Sequence, residues 1–218
     1  MADVPFSGAP WRRPNTAIKP GRRQMPATEI REIQTARLLN AVGDVCAEEG
    51  YHGTTIRKLL GRSGISRKTF YELFADKEDC YLRAYDEAVE HVAGLIGDAY
   101  SRDDGTDPDG PLRAALRAYL EFCAANPNLA RAFVIEVVAA GPRALQRRGE
   151  AIARLTDALA STSLPLGEGE QSRWLKARLF IGGVHELTSA VIEAGEVATL
   201  PELTNGIVDA QLPAAAER

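Results

Sequence analysis

The sequence predicts an all-α protein: an N-terminal three-helix domain with a helix-turn-helix, joined by a long helix to a C-terminal helical domain. Two observations lead to this fold class. Residues 50–77, GYHGTTIRKLLGRSGISRKTFYELFADK, contain two short segments that start with helix-capping residues and are separated by a glycine turn. Most of the remaining chain consists of segments with apolar residues three and four positions apart, interrupted by proline and glycine.

The first helix is predicted to begin at Thr28, which can cap it, and to end near Glu49 because Gly50 stops it. Its apolar stripe is formed by Leu38, Ala41, Val42 and Val45. Residues 1–27 precede this helix and contain five prolines and five basic residues against a single acidic one. We predict a flexible basic arm there, either a solvated tail or a segment that follows phosphates when DNA is present.

Each helix of the helix-turn-helix has its own capping residue, Thr55 for the first and Ser66 for the second. Gly64 lies between them and tolerates the left-handed backbone conformation of a tight turn. The second helix is predicted to bury Phe70 and to expose two cations and a tyrosine: Arg67, Lys68 and Tyr71. This exposed set suits nucleic acid, because lysine and arginine neutralise phosphates, arginine reads guanine edges and a tyrosine hydroxyl donates to phosphate oxygen.

Residues 29–90 resemble the TetR-type bacterial transcriptional regulators. The motifs that carry the resemblance occur at the family's spacing and are Gly50-Tyr51, Thr54-Thr55, Gly64-Ile65-Ser66, Phe70-Tyr71, Phe74 and Lys77. Two positions depart from the pattern: Leu60 and Ser63 stand where the family commonly has alanine. These two residues affect the packing angle between the paired helices and hence their approach to DNA.

The resemblance implies a dimeric protein that binds double-stranded operator DNA. It assigns major-groove positions to Arg57, Arg67, Lys68 and Thr69, and phosphate contacts to Thr55, Tyr71 and Lys77, with Ser66 at the start of the same helix. The distribution of charge agrees with this orientation. Residues 1–78 contain 13 lysines and arginines against 9 acidic residues, whereas the whole chain carries a net charge of −4, so the remainder is acidic and is expected to be repelled by phosphate.

The C-terminal part is predicted to be a bundle of helices. Asp76 should cap a long helix that runs to about Gly97 and can act as a lever between residues 28–75 and residues 76–218, the two predicted domains. The acidic segment 101–110 is predicted to form a loop. Further helices are expected at residues 111–125, 129–140, 142–160, 171–195 and about 201–212. Residues 129–140, LARAFVIEVVAA, are apolar on nearly every side, as in a helix surrounded by others.

The long apolar helix at 171–195 contains two adjacent glycines, Gly182 and Gly183. Each weakens a helix interior by up to ~1 kcal/mol relative to alanine, a loss that close helix approach can offset. The approach can occur within one chain or between two chains. In TetR-like regulators the last two long helices pair across the dimer, so the resemblance favours a dimer interface that contains Phe180, Gly182, Gly183 and Leu187.

A small molecule of mainly apolar character is the expected effector. Its predicted lining consists of bulky or polar residues on apolar helices, namely Tyr85, Tyr119, Phe122, Phe133, Glu136, Trp174 and His185. Packing in the core is the alternative explanation for each of them. Glu136 requires a partner if it is buried, and Arg131, Arg178 or the ligand could supply one.

Several alternatives remain at this point. The leading hypothesis is a homodimeric repressor that a small molecule releases from its operator; the others are an effector-independent regulator or activator and an all-α metal-dependent enzyme using His91, His185 and Glu136. The enzyme hypothesis leaves residues 50–77 unexplained, and we predict no catalytic residue, metal or cofactor. Three widely spaced cysteines, at positions 46, 80 and 123, indicate reduced thiols in the cytoplasm, with a redox sensor as the alternative. No apolar run is long enough for a membrane-spanning segment.

Overall fold

The computed structural model describes residues 26–102, 107–162, 164 and 169–211, and every regular element in these ranges is helical, which confirms the all-α fold. The α-helices are α1 (Ala27–Gly53), α2 (Ile56–Ser63), α3 (Arg67–Leu73), α4 (Lys77–Arg102), α5 (Gly110–Ala125), α6 (Pro127–Ala130), α7 (Pro142–Ala160), α8 (Glu170–Glu193) and α9 (Thr204–Gln211). A π-helical turn at Arg131–Ile135 follows α6, and a 3-10 segment at Val197–Leu203 precedes α9. The predicted N-terminal arm lies almost entirely outside the described residues.

Helix α1 starts at Ala27, and Pro26 precedes it without a side-chain cap. The prediction that Thr28 caps this helix is therefore wrong: Thr28 lies inside the first turn, because proline already limits the helix at its N-terminal side. Gly50 interrupts α1 with a φ of 70°, and one further turn ends at Gly53. Gly50 therefore kinks the helix and does not end it as predicted, since the backbone resumes helical geometry after it.

The helix-turn-helix has the predicted caps. Thr55 Oγ1 accepts a hydrogen bond of 3.3 Å from the Lys58 N–H, and Ser66 Oγ accepts one of 3.1 Å from the Thr69 N–H. Gly64 joins the two helices with a φ of 68°, in the left-handed region that favours glycine. These local interactions fix where α2 and α3 begin, and therefore the angle at which α3 presents its side chains.

One hydrophobic core holds the N-terminal helices together and extends into the C-terminal part. Leu59 and Phe70 are fully buried against α1 and α4, and Ala132, Val137 and Ala144 belong to the same cluster. The packing therefore continues across the predicted boundary at residue 75. Because this core is closely packed, a movement of residues 132–144 would displace the residues of the helix-turn-helix that pack in the same cluster.

Helix α4 links the two parts of the molecule. The Asp79 N–H donates to Asp76 Oδ1 at 2.8 Å, as expected for an N-cap. The helix extends to Arg102, five residues beyond the predicted end at Gly97, because Gly97 does not adopt the positive φ with which a glycine ends a helix. It packs against α1, α5 and α7.

Residues 129–140 do not form the single surrounded helix that the sequence predicts. The chain leaves the α-helical pattern at the π-helical turn, where the Glu136 N–H donates to the Arg131 carbonyl at 3.1 Å. Irregular turns follow as far as Ala140, and Val138 is 60% exposed. The wider π-helical turn shifts the register of the chain and directs Glu136 towards the N-terminal domain.

The second core packs α5, α8 and the C-terminal elements together, with Leu120, Leu200 and Val208 fully buried. Pro142 occupies the first turn of α7 as expected. The last predicted helix, near 201–212, begins instead at Thr204, and Pro201 lies in the preceding 3-10 segment. None of the helices in the described ranges has the length and hydrophobicity needed to cross a membrane.

Candidate nucleic-acid interface and helical interior

The outer face of α3 presents the three residues that the sequence predicts. Arg67, Lys68 and Tyr71 are exposed, whereas Phe70 is fully buried and anchors the helix. The Arg67 guanidinium lies 5.7 Å from the centre of the Tyr71 ring, which restrains both side chains on this face. Arg57 of α2 and Thr55, which caps α2, are also exposed, and Thr69 is half-buried with its hydroxyl 2.9 Å from Ser66 Oγ.

Ion pairs divide the cations of the helix-turn-helix into two groups. Lys58 pairs with Glu49 at 3.0 Å, and Arg62 pairs with both Asp44 and Glu48, all three acids being on α1. In the part of the chain that the structure describes, no carboxylate pairs with Arg57 or Arg67.

Lys68, with a side chain that is 89% exposed, has only a loose contact of 3.9 Å with Glu72. The positive charge available to an anionic partner is therefore concentrated on the outer face of α3 and the start of α2.

Lys77 is engaged within the protein. Its Nζ donates a 3.0 Å hydrogen bond to the Tyr51 carbonyl and lies 4.1 Å from the centre of the Tyr51 ring. Burial lowers the pKa of Lys77, yet the ammonium has further N–H donors. A phosphate contact by Lys77 stays a prediction, and it would add to this structural role rather than use a free lysine.

Tyr51 also connects the N-terminal domain to the C-terminal part. Its N–H donates to Glu136 Oε2 at 2.8 Å, which gives Glu136 a partner that was not among those predicted. Its ring makes an edge contact with Tyr81 of α4, with 5.0 Å between ring centres. The buried Tyr81 hydroxyl donates to the Ala132 carbonyl at 2.8 Å, and the Tyr81 ring contacts Phe133 at 5.6 Å.

Phe133 in turn contacts Tyr85, with 5.7 Å between the ring centres. A continuous row of aromatic residues therefore leads from the interior of the C-terminal part to Tyr51.

The residues predicted to line a ligand site occupy different places. Tyr85 and Phe122 are buried, and the Tyr119 hydroxyl lies beside Cys123 and Thr188. Trp174 is 41% exposed and its indole N–H donates to Asp157 Oδ1 at 3.1 Å, so its ring is on the surface in this chain. Of the predicted set, Tyr85, Tyr119 and His185 lie on α4, α5 and α8, and Phe133 lies on the π-helical turn, which packs against α8.

Arg148 of α7 is a residue of this interior that the sequence-based prediction omits. One of its terminal nitrogens, Nη2, lies 2.5 Å from His185 Nε2, and its Nε is buried without a hydrogen-bond partner. A signal was present in the sequence: Arg148 lies four residues after Ala144 and three before Ala151, the spacing of a single helix face, and both alanines are buried. A cation at such a position points towards the core.

The three residues of the metal hypothesis do not lie together. Glu136 accepts the Tyr51 N–H, His185 contacts Arg148, and the His91 ring lies 5.6 Å from that of Phe122. Over the described residues, no group of three His, Cys, Asp or Glu side chains is placed to hold a metal ion.

The predicted interface residues of α8 fall on two sides of the helix. Gly182, Gly183 and Leu187 are exposed, and a Cβ added at either glycine would meet no atom within 4 Å. Phe180 is only 6% exposed and packs inside the second core, so its side chain is remote from this face. Its exposed neighbour Leu179, at 70%, takes that place together with Leu175 at 49%.

Comparison with known proteins shows which proteins the helix-turn-helix region resembles. Residues 38–84 match the sequence profile described as bacterial regulatory proteins of the tetR family. The HTH-type transcriptional activator FasR from Mycolicibacterium smegmatis is 29% identical over 92 residues, which is 42% of this chain and 41% of that protein. The HTH-type transcriptional regulator YezE from Bacillus subtilis is 35% identical over 60 residues, 28% of this chain and 31% of that protein. The chain thus spans less than half the length of these curated relatives.

Solved structures extend the similarity in fold to most of the chain. The fatty acid degradation regulator FadR from Bacillus halodurans has a TM-score of 0.74 at 18% identity, covering 90% of this chain and 100% of that one. FadR from Bacillus subtilis, in complex with stearoyl-CoA, has a TM-score of 0.67 at 19% identity, covering 81% of this chain and 97% of that one. The predicted resemblance to TetR-type regulators and the predicted fold are both confirmed.

Proposed function

We propose that this chain, which carries the helix-turn-helix of the TetR-type regulators, is a homodimeric transcriptional repressor that a small molecule releases from operator DNA. The observation that carries the proposal is the outer face of α3, where Arg67, Lys68 and Tyr71 are exposed and no carboxylate of the described residues pairs with Arg67. Such a regulator acts in the cytoplasm, where the DNA is.

The proposed role of each residue in the DNA interface follows from its side-chain chemistry. Arg67 at the start of α3 is suited to two hydrogen bonds with a guanine edge, and Lys68 to phosphate or base contacts in the major groove. From the start of α2, Arg57 and Thr55 reach the adjacent DNA backbone or groove. Tyr71 supplies a hydroxyl for a phosphate oxygen. Lys58 and Arg62, neutralised by α1, are proposed to stabilise the domain instead of binding DNA.

The exposed face of α8 supports dimerisation with a second copy of the chain. Leu175, Leu179 and Leu187 form an apolar strip around the two glycines. A two-fold axis at Gly182 would bring Arg178, four residues before it, opposite Glu186 of the partner subunit, four residues after it. Both side chains belong to exposed residues of α8. This self-complementary pattern of leucine, glycine and opposite charge fits an isologous helix pair.

The regulatory step is proposed to pass through the aromatic row and Tyr51. A ligand between α4, α5, α7 and α8 would move Phe133 or Tyr85, and Tyr81 and Glu136 connect that region to the end of α1. Displacement there would change the spacing of the two α3 helices in the dimer. A hundredfold weakening of DNA binding by the ligand requires an equal weakening of ligand binding by DNA, a coupling of about 2.7 kcal/mol.

The similar structures support an effector with a long apolar portion, since one of them is a complex with stearoyl-CoA. The name of the M. smegmatis relative favours a second candidate function, transcriptional activation. Both functions need the same DNA contacts, and they differ in the effect of the bound protein on transcription. The curated relatives are described as transcriptional regulators, and the separate engagements of His91, His185 and Glu136 add no support for a metal-dependent enzyme.

Selection of binding sites from a genomic library, followed by release with ligands, tests the proposal. We expect enrichment of a pseudo-palindromic sequence with half-sites about one helical turn apart or slightly more. A metabolite library, which includes fatty acids and acyl-CoA esters, should contain compounds that raise the melting temperature and lower operator affinity. Transcription from the selected promoter in vitro then separates a repressor from an activator. Absence of any sequence-selective binding would refute the proposed function.

A further inference from the structure

The half-buried Arg148 guanidinium has no acidic partner among the described residues of the C-terminal part. Its Nε is buried and makes no hydrogen bond, although buried guanidinium groups are normally paired with carboxylates. Among the described residues no ion pair includes Arg148, whereas the neighbouring Arg143, Arg147 and Arg154 of α7 all have acidic partners on α4.

His185 cannot neutralise this charge. Its Nε2 lies 2.5 Å from Arg148 Nη2. Burial, followed by the nearby charge of Arg148, lowers the pKa of His185, which favours the neutral imidazole. The free protein therefore holds a half-buried guanidinium whose Nε is buried without a hydrogen bond and whose contact at Nη2 is an imidazole and not a carboxylate. Such an arrangement destabilises the free state and favours any anion that reaches the guanidinium edge.

Aromatic residues lie on the side of Arg148 that faces α4. The buried Tyr85 of α4 lies within the electrostatic reach of Arg148, and Tyr85 contacts Phe133. Tyr119 of α5 lies within the electrostatic reach of Tyr85, and its hydroxyl lies beside Thr188 of α8. The chemistry of the region is thus one unpaired cation at the edge of an aromatic interior that is connected to Tyr51.

We propose that Arg148 is the anchor of the effector site and that the effector is an amphiphile: an apolar body with one anionic group, a carboxylate or a phosphate. The anion accepts hydrogen bonds from the Nε and Nη2 edge, and the apolar body extends towards Tyr85 and Phe133. This inference rests on the proposed function because it names the chemical class of the regulator's ligand. Binding satisfies the buried Nε and places the ligand against the aromatic row.

The test compares three ten-carbon probes that differ only in the head group: decanoate, decyl phosphate and decanol, each below its critical micelle concentration. Affinity is measured by calorimetry and by the shift in melting temperature for the wild type and for Arg148→Met. Arg147→Met is the matched control, because Arg147 is the preceding residue of α7, half-exposed and paired with Asp86 across the surface. Arg148→Lys keeps the charge but lacks the paired donors. It replaces the methionine variant in this comparison if Arg148→Met does not fold.

We expect at least one anionic probe to bind the wild type about tenfold or more tightly than decanol, because hydrogen bonds to a charged group are strong in a desolvated site. The excess should disappear in Arg148→Met, decrease in Arg148→Lys and persist in Arg147→Met. Without ligand, Arg148→Met should be at least as stable as the wild type. Equal binding of decanol and both anions by the wild type, no binding of either anion, or an unchanged excess in Arg148→Met would overturn the inference.

The two proposals fail in different ways. If decanol releases operator DNA as well as the anions do, the regulator function stands and the anionic anchor is wrong. If the anions bind through Arg148 but leave operator affinity unchanged, the site exists and the regulatory function is wrong. The carboxylate and phosphate arms separate the two possible head groups.

Discussion

The backbone N–H of Tyr51 donates a 2.8 Å hydrogen bond to Glu136 Oε2, joining residues 85 positions apart in the sequence. The neighbouring Gly50, with a φ of 70°, allows this approach, since a Cβ at that position would lie 3.2 Å from Glu136 Oε2. Lys77 holds the carbonyl of the same tyrosine. The end of α1 is therefore held on one side by the C-terminal part and on the other by the first residue of α4.

Replacing Glu136 by alanine should loosen this connection. The Tyr51 N–H would lose a charged acceptor in a partly buried place, at a cost of about 1–3 kcal/mol in the free energy of unfolding. Glu136→Gln keeps an acceptor oxygen and should lose less. Urea unfolding measures both, and operator binding with and without ligand shows whether coupling falls together with stability. Full ligand-induced release in a destabilised Glu136→Ala variant would exclude this residue from the regulatory connection.

Single substitutions on the outer face of α3 should have distinct effects on DNA binding. Arg67→Ala should cost ~1–3 kcal/mol at particular base pairs, because it removes hydrogen bonds to base edges. Lys68→Ala should weaken binding more evenly across sequences and lower the slope of log affinity against log salt by about one if Lys68 contacts a phosphate.

Titration of a selected operator at several salt concentrations measures both effects. Arg62→Ala is the control: it removes a cation that α1 already neutralises and should leave the salt slope unchanged. An Arg67/Lys68/Tyr71 triple alanine variant with wild-type operator affinity would show that α3 is not the reading helix.

Charge reversal on α8 tests the dimer. Arg178→Glu or Glu186→Arg alone would place like charges opposite each other across the two-fold axis and should weaken dimerisation and operator binding together. The double variant restores opposite charges and should recover much of the loss. Sedimentation and operator titration measure the two properties.

Replacing Gly183 by a bulky residue such as leucine should separate the two α8 helices of the dimer. Like a single charge reversal, it should weaken dimerisation and operator binding. A monomeric wild type at micromolar concentration, or reversals without any effect, would contradict an interface centred on Gly182.

The thiols should be unreactive in the folded protein at neutral pH. Burial, with a smaller contribution from Glu136, raises the pKa of Cys46 to about 12, and burial raises that of Cys123 to about 12 as well. Because these folded-state pKa values exceed the usual 9.0, their contribution to stability is full below pH 9 and is lost as the pH rises towards 12.

Stability measured by urea unfolding should therefore decrease between pH 7.5 and pH 10.5, and less steeply in Cys46→Ala. Alkylation of the native protein by iodoacetamide at pH 7.5 should be slow compared with that of the urea-unfolded chain. Rapid native labelling of Cys46 or Cys80, or a disulfide between them under mild oxidation, would instead revive the redox-sensor alternative.

The sequence by itself determined the features that depend on neighbouring residues. The caps at Thr55, Ser66 and Asp76 and the turn at Gly64 are interactions within a few residues, so the pattern of α2, α3 and the start of α4 could be predicted directly. The exposed face of α3 follows as well, because the burial of Phe70 fixes the rotation of a short helix.

The tertiary structure alone decided the features that depend on distant residues or on helix rotation. The apolar segment 179–187 has no polar side to set its orientation, so only packing shows that Phe180 is buried and Leu179 is exposed. The partner of Glu136 is a backbone N–H from another domain, and the isolation of Arg148 depends on which acids its neighbours on α7 already hold. Electrostatic and hydrogen-bond pairing depends on distance in space, and a linear pattern does not specify that distance between residues that are far apart in the sequence.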